Sequence, residues 1–361
     1  MVTNPMATNT NNDLPRRLAD CYVARPLTTM PTRHRPTAWL LALLPLLASC
    51  AQARLSLINW NTYHLFDHQQ HLPPAAAWLA EQAPAIVALQ EVLHCDHEKL
   101  RELASTWGHD HAVMHKESGY PVALTSNEPI EVVECRTKGF HHGYLHARTH
   151  GFDVLVVHFW PGKVHEPEHV AALAQQLRDQ GRPVLIVGDF NSEIRHDEDY
   201  LQQHGHLGNV VAGQRRFDYR ITDCFLDLGF VDVTHQHAPD AHYTFGSPAL
   251  IPKWRKNMTE VHTARRRIDF VFADARTAAR SLSANVLSND DTVGTWSDHY
   301  PLRVVLTAHH ANERARQREG TPTRRLSSPL RARPCETPTR PHTSPGCASA
   351  GSPGSRRRPP A

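Results

Sequence analysis

Two polar residues, Asp189 and Asn191, follow a short apolar run in the middle of the chain. The run, Val184–Val187, is apolar at every position, which is typical of a strand buried on both faces. Residues two apart in an extended backbone point to the same side, so the carboxylate and the amide emerge together. A carboxylate can take a proton from water or bind a metal, and an amide can hold a phosphoryl oxygen. Asp and Asn are also common in ordinary turns, and these residues alone do not separate the two interpretations.

Further predicted strands and one loop also present chemically capable side chains. These residues are Asn61, Glu91, His158, Asp269, Asp298 and His299. Apolar strands that each present an acid, amide or imidazole indicate convergence at one edge of a β core. A buried cluster of Glu91, Asp189 and Asp298 would repel itself unless a cation neutralised it. Oxygen ligands favour Mg²⁺ or Mn²⁺ over zinc, and Ca²⁺ is a further option.

Strand and helix patterns alternate along the part of the chain that must position these residues. We predict strands over 55–61, 85–91, 120–124, 130–135, 144–149, 153–158, 184–189, 243–245, 267–272 and 302–306. We predict helices over 73–81, 95–107, 170–180 and 217–227. The sequence therefore predicts a mixed α/β domain, which we place at residues 51–310 and expect to be monomeric.

Charge is unevenly distributed along the 361 residues. Residues 311–361 carry eleven Arg against three Glu, and residues 1–50 carry five Arg against two Asp. Since the whole chain has a net charge of +3, residues 51–310 have a net charge of −8. That charge argues against a broad basic surface for nucleic acid. Residues 311–361 are nearly devoid of apolar side chains, and we predict a disordered Arg/Pro/Ser-rich tail.

A segment near the start of the chain has the ordered features of a bacterial lipoprotein signal. Arg33 and Arg35 are positive, Trp39–Leu47 is apolar apart from one proline, and Leu-Ala-Ser then precedes Cys50. The apolar run is too short to span a membrane but fits a signal peptide. Leu-Ala-Ser-Cys resembles the lipobox, in which the cysteine is lipidated and becomes the mature N-terminus.

We therefore predict a lipoprotein-type signal peptide over 30–50, lipidation at Cys50, and an exported protein anchored to a membrane of the cell envelope. A plain secretory signal cleaved near Ala53 is the alternative. Residues 1–29 precede the positive region and are interpreted as a non-native or disordered extension.

The seven cysteines contain no Cys-x-x-Cys pair, which argues against a structural zinc site. Cys95 and Cys135 are candidates for a disulfide in an oxidising compartment. Two separate buried thiols are the alternative.

Five short motifs, in this order, resemble those of the endonuclease/exonuclease/phosphatase superfamily. Its members include pancreatic-type deoxyribonucleases, apurinic endonucleases, neutral sphingomyelinases and inositol polyphosphate 5-phosphatases. The motifs are Trp60-Asn61, Gln90-Glu91, Gly188-Asp-Phe-Asn191, Arg267-Ile-Asp-Phe270 and Ser297-Asp-His-Tyr-Pro301. Each motif alone is weak, but five in order at plausible spacing are specific, and the resemblance covers roughly residues 54–307.

The resemblance implies a four-layer α/β sandwich, in which two mixed β-sheets pack face to face and helices flank them. It also implies metal-assisted hydrolysis of a phosphoester by in-line attack of an activated water. The substrate would be a nucleic acid, a phospholipid or a sugar phosphate. A catalytically inactive relative that binds a phosphorylated ligand is the alternative, although a decayed site would have been expected to lose one of these residues.

The resemblance also implies a role for each residue at the strand ends. Glu91 would bind the divalent metal, with Asn61 and Asp298 close by. Asp189 would align or deprotonate the attacking water, and Asn191 would hold a phosphoryl oxygen.

His299 would bind phosphate oxygens while Asp269 orients its imidazole. His158 stands where the deoxyribonuclease, sphingomyelinase and 5-phosphatase branches carry a histidine, and it could protonate the leaving oxygen. The deoxyribonuclease-like branch pairs this histidine with a glutamate, and Glu117 is near the corresponding place.

Substrate preference is open at this stage. The basic stretches Lys253–Lys256 and Arg265–Arg267, which precede Asp269, could bind phosphate and stack an aromatic ring, could meet a membrane surface, or could simply be solvated. Two histidine-containing segments, 107–115 and 141–146, could line the cleft or could be solvated in the same way.

Overall fold

The structure is a computed structural model that describes residues 53–308, apart from 207–208 and 212–213. Residues 1–29, the predicted signal at 30–50 with Cys50, and the predicted tail at 311–361 lie outside the described residues. The predictions made for those segments therefore stay predictions.

Strands and helices alternate through most of the described chain. The strands are β1 (Arg54–Asn61), β2 (Ile86–Gln90), β3 (His111–Met114), β4 (Ala123–Ser126), β5 (Glu131–Arg136), β6 (Tyr144–Thr149), β7 (Phe152–His158), β8 (Val184–Asp189), β9 (Asn209–Val211), β10 (Gln214–Arg216), β11 (Val231–Asp232), β12 (Asp269–Ala273), β13 (Ser281–Val286) and β14 (Leu302–Thr307). The helical segments are α1 (Tyr63–His68), α2 (Leu72–Gln82), α3 (His97–Thr106), α4 (His165–Asp179), α5 (Glu198–Gln203), α6 (Arg220–Leu226), α7 (Val233–His237), α8 (Met258–His262), α9 (Ala275–Ala278) and α10 (Val293–Trp296).

Two six-stranded sheets form the centre of the molecule. The first has the order β13-β14-β1-β2-β4-β3 and the second has the order β11-β12-β8-β7-β6-β5. Each sheet is mixed, because β1 runs parallel to β2 and β7 runs parallel to β8, whereas the other pairs within the two sheets are antiparallel. Strands β9 and β10 form a small separate ribbon.

Alternate side chains of the central strands enter different cores, which explains their uninterrupted apolar sequences. Leu57 of β1 joins Val156 and Val187 in the core between the sheets. Its neighbour Ile58 faces the opposite way, into a second core. Ile186 of β8 likewise faces a third core on the outer side of the second sheet.

Helices cover the outer face of each sheet. Leu79 of α2 and Leu100 of α3 pack in the second core on the first sheet. Val170 of α4 and Phe225 of α6 pack in the third core on the second sheet. The predicted four-layer α/β sandwich is therefore confirmed.

The predicted elements differ from the structure in a few places. Residues 243–245 form no named strand, and Phe245 instead makes isolated bridges to Arg266 and His299. The strands that were not predicted are β3, β9, β10, β11 and β13. Cys95 is a buried free thiol, so the candidate disulfide to Cys135 is wrong. Among the described residues, no helix is long and apolar enough to cross a membrane.

Candidate active site

Three adjacent strands of the second sheet place His158, Asp189 and Asp269 side by side. His158 of β7 pairs in register with Asp189 of β8, and Asp189 pairs in register with Asp269 of β12. All three residues are buried. The register therefore places an imidazole and two carboxylates next to one another at the neighbouring ends of three strands.

The parallel strands of the first sheet bring Asn61 and Glu91 to the same place. Asn61 lies opposite Gln90, and Glu91 follows directly. The Asn61 amide donates a 2.9 Å hydrogen bond to Asp189 Oδ2 and lies 3.3 Å from Glu91 Oε1. This side chain therefore links the chemical groups of the two sheets.

The backbone is in the left-handed region at two of these polar residues. Glu91 has a φ of 58° and Asn191 has a φ of 47°. The backbone N–H of Asn191 closes this turn by donating to Asp189 Oδ1 at 2.7 Å. Left-handed backbone at non-glycine residues is unfavourable and persists where the surrounding contacts fix it.

Segment α1 is also left-handed, with φ between 46° and 58° from Tyr63 to His68. Its first turn is held by the site itself. The Tyr63 N–H donates to Asn61 Oδ1 at 3.1 Å, and the His64 N–H donates to Glu91 Oε2 at 3.2 Å. Sequence reasoning did not predict this segment, because nothing in its residue types marks a left-handed backbone.

Gly188 lets β8 approach β7 closely just before Asp189. It has a φ of 152°, and a Cβ built on it would overlap the carbonyl oxygen of Val157. The glycine of this motif is therefore required by packing of the strand that presents the carboxylate.

His299 reaches the cluster from the loop that precedes β14. Its Nδ1 donates to Asp269 Oδ2 at 2.8 Å, while its Nε2 lies 3.9 Å from both Asp189 Oδ2 and Asp298 Oδ1. The eight predicted site residues thus lie together, at or beside the strand ends on one side of the two sheets.

His158 has a different partner from the one that was expected. Glu117 is bound to His97 Nδ1 at 2.7 Å, so the expected pairing of Glu117 with His158 is not present. His158 instead stacks on His142, with ring centroids 4.2 Å apart and planes 15° apart. His142 belongs to the predicted cleft segment 141–146, whereas Trp107 and His109 of the other segment are buried in the fold.

A cleft of about 470 Å³ opens above these residues. Glu91, His158, Asn191 and Asp298 contribute to its wall. The remainder of the wall is largely aromatic, and sequence reasoning identified only His142, through its segment, and Trp254 among those rings. The lining side chains beyond the predicted eight are Tyr63, His64, Tyr120, His142, Trp160, Pro161, Phe245, Leu250, Trp254 and Arg255.

The model of the Endonuclease/Exonuclease/phosphatase family matches residues 58–299. The chain belongs to this family. The activities in the family's name share one reaction, hydrolysis of a phosphoester bond, and the protein is a phosphoester hydrolase by family. No curated protein is significantly similar to the chain in sequence.

Solved structures of similar fold include two nucleic-acid enzymes. An AP endonuclease from Archaeoglobus fulgidus is 22% identical with a TM-score of 0.54, and the match covers 70% of this chain and 99% of that one. A 3′ phosphatase, NExo, from Neisseria, solved with product DNA hairpin, is 20% identical with a TM-score of 0.52. That match covers 69% of this chain and 98% of the phosphatase.

Burial and neighbouring charges shift the pKa values of the clustered acids and histidines. Burial and the carboxylate of Asp269 raise the pKa of Asp189 to about 8. Burial also raises the pKa of Asp298 to about 7 against the opposing effect of His299, and Glu91 and Asp269 add smaller increases. Each of these carboxyls is therefore costly to ionise until a positive charge arrives.

The two histidines are shifted in opposite directions. Burial alone would lower the pKa of His299, but Asp269 and Asp298 outweigh it and raise this pKa to about 10. Burial, His142 and His299 hold the pKa of His158 well below its usual range. At neutral pH the site therefore contains one imidazolium and one neutral imidazole.

The donor set at the cleft fits a divalent cation. Glu91 and Asp298 both face the cleft, and their mutual repulsion contributes to the raised pKa of Asp298. Asp189, Asp269 and His299 also lie close enough to share an ion. A protonated His299 that donates to Asp269 has no lone pair for a metal, so the fit is better at Glu91, Asp298 and the amide oxygen of Asn61.

Proposed function

We propose that the protein is a divalent-metal-dependent phosphoesterase that cleaves its substrate by in-line attack of an activated water. The observation that carries the proposal is the position of Asp189, whose buried carboxylate is in register with His158 and Asp269 and bonded to Asn61. A water next to Asp189 would meet a base with a pKa of about 8, which suits proton abstraction near neutral pH.

The remaining side chains of the site would act on the phosphoryl group. His299, as an imidazolium, stabilises charge on the phosphoryl oxygens, and Asp269 fixes its orientation through Nδ1. The Asn191 amide donates to Asp189 Oδ2 and to the Phe159 carbonyl at 3.3 and 3.1 Å, and it can turn one N–H to a phosphoryl oxygen.

His158 would serve the leaving oxygen. It is neutral in the free protein, and a phosphate bound beside it raises its pKa, because negative charge favours the protonated ring. Mg²⁺ or Mn²⁺ held by Glu91, Asp298 and Asn61 would neutralise charge on the substrate phosphate. Hydrolysis of a phosphoester requires in-line attack and stabilisation of the charge on the phosphoryl oxygens, and these residues would supply both.

The test is an activity screen of the full chain with Mg²⁺ or Mn²⁺. Substrates are plasmid DNA, single-stranded oligonucleotides, bis-p-nitrophenyl phosphate, sphingomyelin and inositol phosphates. DNA is included because one structural neighbour was solved with a DNA product. We expect hydrolysis of at least one substrate, its loss in EDTA, and its return when the cation is restored. Full activity in metal-free buffer would refute the metal dependence, and binding without hydrolysis would favour an inactive relative.

A further inference from the structure

Six aromatic rings follow one another around the wall of the cleft. In order, this aromatic arc consists of Trp254, Tyr63, His64, Tyr120, His142 and Trp160. The site chemistry proposed above uses none of these rings directly. Their arrangement therefore needs a reason of its own.

One half of the arc is joined through Tyr63. The indole N–H of Trp254 donates to the Tyr63 hydroxyl at 3.2 Å. Tyr63 stacks on His64 with centroids 5.1 Å apart, and His64 lies 5.8 Å from Tyr120. These rings hold one another in position, and the left-handed backbone of α1 is anchored on Asn61 and Glu91.

The other half of the arc lies next to His158. Tyr120 meets His142 edge to face at 5.0 Å, and His142 lies 5.5 Å from Trp160. His142 also stacks on His158. The arc is thus continuous, and its middle touches a predicted catalytic histidine.

The most exposed large apolar side chains in the described part of the chain are concentrated at this cleft. Trp254 is 60% exposed, Trp160 is 40% exposed and Tyr120 is 36% exposed. The other exposed large apolar residue among those described, Leu282, is absent from the cleft wall. Single exposed apolar side chains scattered over a surface are normal, but several exposed rings at one cleft are typical of a binding surface.

Positive charge accompanies the rings. The Lys253 ammonium lies 5.2 Å from the centre of the Tyr63 ring and 5.6 Å from that of Trp254. Arg255 lines the cleft itself. Flat rings beside cations, next to a phosphoesterase site, match a ligand with planar rings and phosphates.

We propose that the aromatic arc stacks unpaired nucleobases on either side of the scissile phosphate, so that the substrate class is single-stranded nucleic acid. The inference rests on the proposed phosphoesterase function. Stacking needs bases that are not paired, and the net charge of −8 over residues 51–310 opposes binding of long duplexes through their backbone.

A lipid surface is the competing occupant, and the geometry favours it less. A membrane-inserting patch presents adjoining apolar side chains outward. Here the exposed rings turn to a common cleft, and their neighbours in the arc are His64 and His142, with Lys253 alongside.

The experiment compares two oligonucleotides of equal length, one of thymidines and one of abasic tetrahydrofuran units. With the full wild-type chain and Mn²⁺, we expect kcat/KM to be at least about tenfold higher for the thymidine strand. Trp254→Ala and Trp160→Ala should each lower that ratio several-fold, and Trp254→Phe should restore most of it. Leu282→Ala is the matched control, an exposed apolar residue outside the cleft wall, and should leave the ratio unchanged. A wild-type ratio near one would overturn the inference.

A binding measurement separates this inference from the proposed function. Asp189→Asn protein is titrated with both strands while quenching of tryptophan fluorescence is recorded. Preference for the thymidine strand without any hydrolysis by wild type would reject the phosphoesterase and keep the arc. Hydrolysis without preference in either assay would reject the arc alone. Equal affinity for both strands, together with Trp254-dependent binding to phosphatidylserine vesicles, would overturn the arc in favour of a lipid surface.

Discussion

The carboxyl group of Asp189 is almost completely buried and lies in register with a second carboxylate, Asp269. Its raised pKa means that the folded protein resists ionising it. A group whose charged form is unfavourable in the free protein gains most when substrate and cation supply compensating charge. Burial and the neighbouring Asp269 therefore have two effects on Asp189. They raise its pKa towards the range of a general base, and they make its ionised form unfavourable for the stability of the fold.

Asp189→Asn should abolish turnover and leave the fold intact. We expect kcat to fall by at least about a thousandfold, because the amide takes no proton from water. The melting temperature should fall only modestly, because the asparagine loses one hydrogen-bond acceptor to Asn61 or Asn191 but also removes a carboxyl whose ionised form is destabilised by burial. Steady-state kinetics and thermal unfolding measure the two effects.

Asp274→Asn is the matched control for this variant. Asp274 is also buried, but it caps α9 by accepting from Arg276 and Thr277. Its replacement should lower the melting temperature and leave kcat near wild type. Near-normal kcat in Asp189→Asn would show that another group activates the water.

Asp298 links cation binding to pH. Its pKa in the folded protein, about 7, is higher than the ordinary aspartate value of 3.8. A raised carboxyl pKa contributes stability at pH below the unfolded value, and that contribution is lost as pH rises through 7. A cation on Asp298 must displace the proton at pH 6 but not at pH 8.

We therefore expect 5 mM Mn²⁺ (a concentration of the order of 10 to 100 Kd for a weak site) to raise the melting temperature more at pH 8 than at pH 6. Asp298→Asn should reduce the difference between the two pH values, and EDTA should remove the shift. Equal shifts at both pH values in wild type would argue against Asp298 as a ligand.

The sequence predicted the strand-end residues but not the walls around them. Asn61, Glu91 and Asp189 each follow an apolar run, and that pattern can be read directly from the sequence. Tyr63 and His64 reach the cleft through a left-handed backbone that no local propensity predicts. Glu117 pairs with His97 because the two side chains approach across a loop and a helix start, which spacing along the chain does not reveal.

At the scale of elements, every strand inside the two sheets was predicted, whereas of the four edge strands only β5 was, and β3, β11 and β13 were not. Strand β8 is apolar from Val184 to Val187 and lies in the middle of its sheet. Strand β13 lies at an edge, and Leu282 in it is exposed. With only one face needing apolar residues, its Ser-rich sequence resembles a loop.

Gly188→Ala tests whether the close approach of β7 and β8 is required. The added methyl would overlap the Val157 carbonyl, and one of the strands must move. We expect unfolding free energy to fall by about 2 kcal/mol or more, with loss of activity, because the strand presents Asp189. Urea unfolding and kcat/KM measure both.

Gly181→Ala is the control for backbone strain without overlap. Gly181 has a φ of 76°, and a Cβ there meets no atom within 4 Å. It should cost about 1 kcal/mol, the usual penalty for a left-handed alanine, and leave activity unchanged. Equal losses in the two variants would mean that the strand contact at Gly188 is unimportant.

At the scale of the whole molecule, the positive charge is concentrated near the two ends of the sequence, whereas the candidate active-site residues lie in the acidic part between them. The net charge of −8 over residues 51–310 contrasts with the positive ends. An acidic domain with a buried imidazolium, His299, beside Asp298 of the cleft wall attracts phosphate locally rather than over a broad surface. This arrangement suits small or single-stranded substrates. The place of the protein in the cell would then be determined by another part of the chain.

We propose that Cys50 supplies that location through lipidation. A positive region, an apolar run and Leu-Ala-Ser precede it, in the order of a lipoprotein signal. Three acyl chains on one cysteine would bury many CH₂ groups at about 0.8 kcal/mol each, so release from the membrane would be negligible. The enzyme would then work at the surface of the cell envelope.

Cys50→Ser should convert a membrane-bound, palmitate-labelled protein into an unprocessed or soluble one. The experiment expresses the full chain and the variant in a bacterial host with labelled palmitate, followed by fractionation. Cys224→Ser, at a half-buried free thiol in the domain, is the control and should keep both the label and the membrane fraction. Because Ala51 rather than Asp follows the cysteine, we expect the outer membrane in a host that has two. Cytosolic, unlabelled wild-type protein would refute the anchor, and the plain secretory alternative would instead give exported, unlabelled protein.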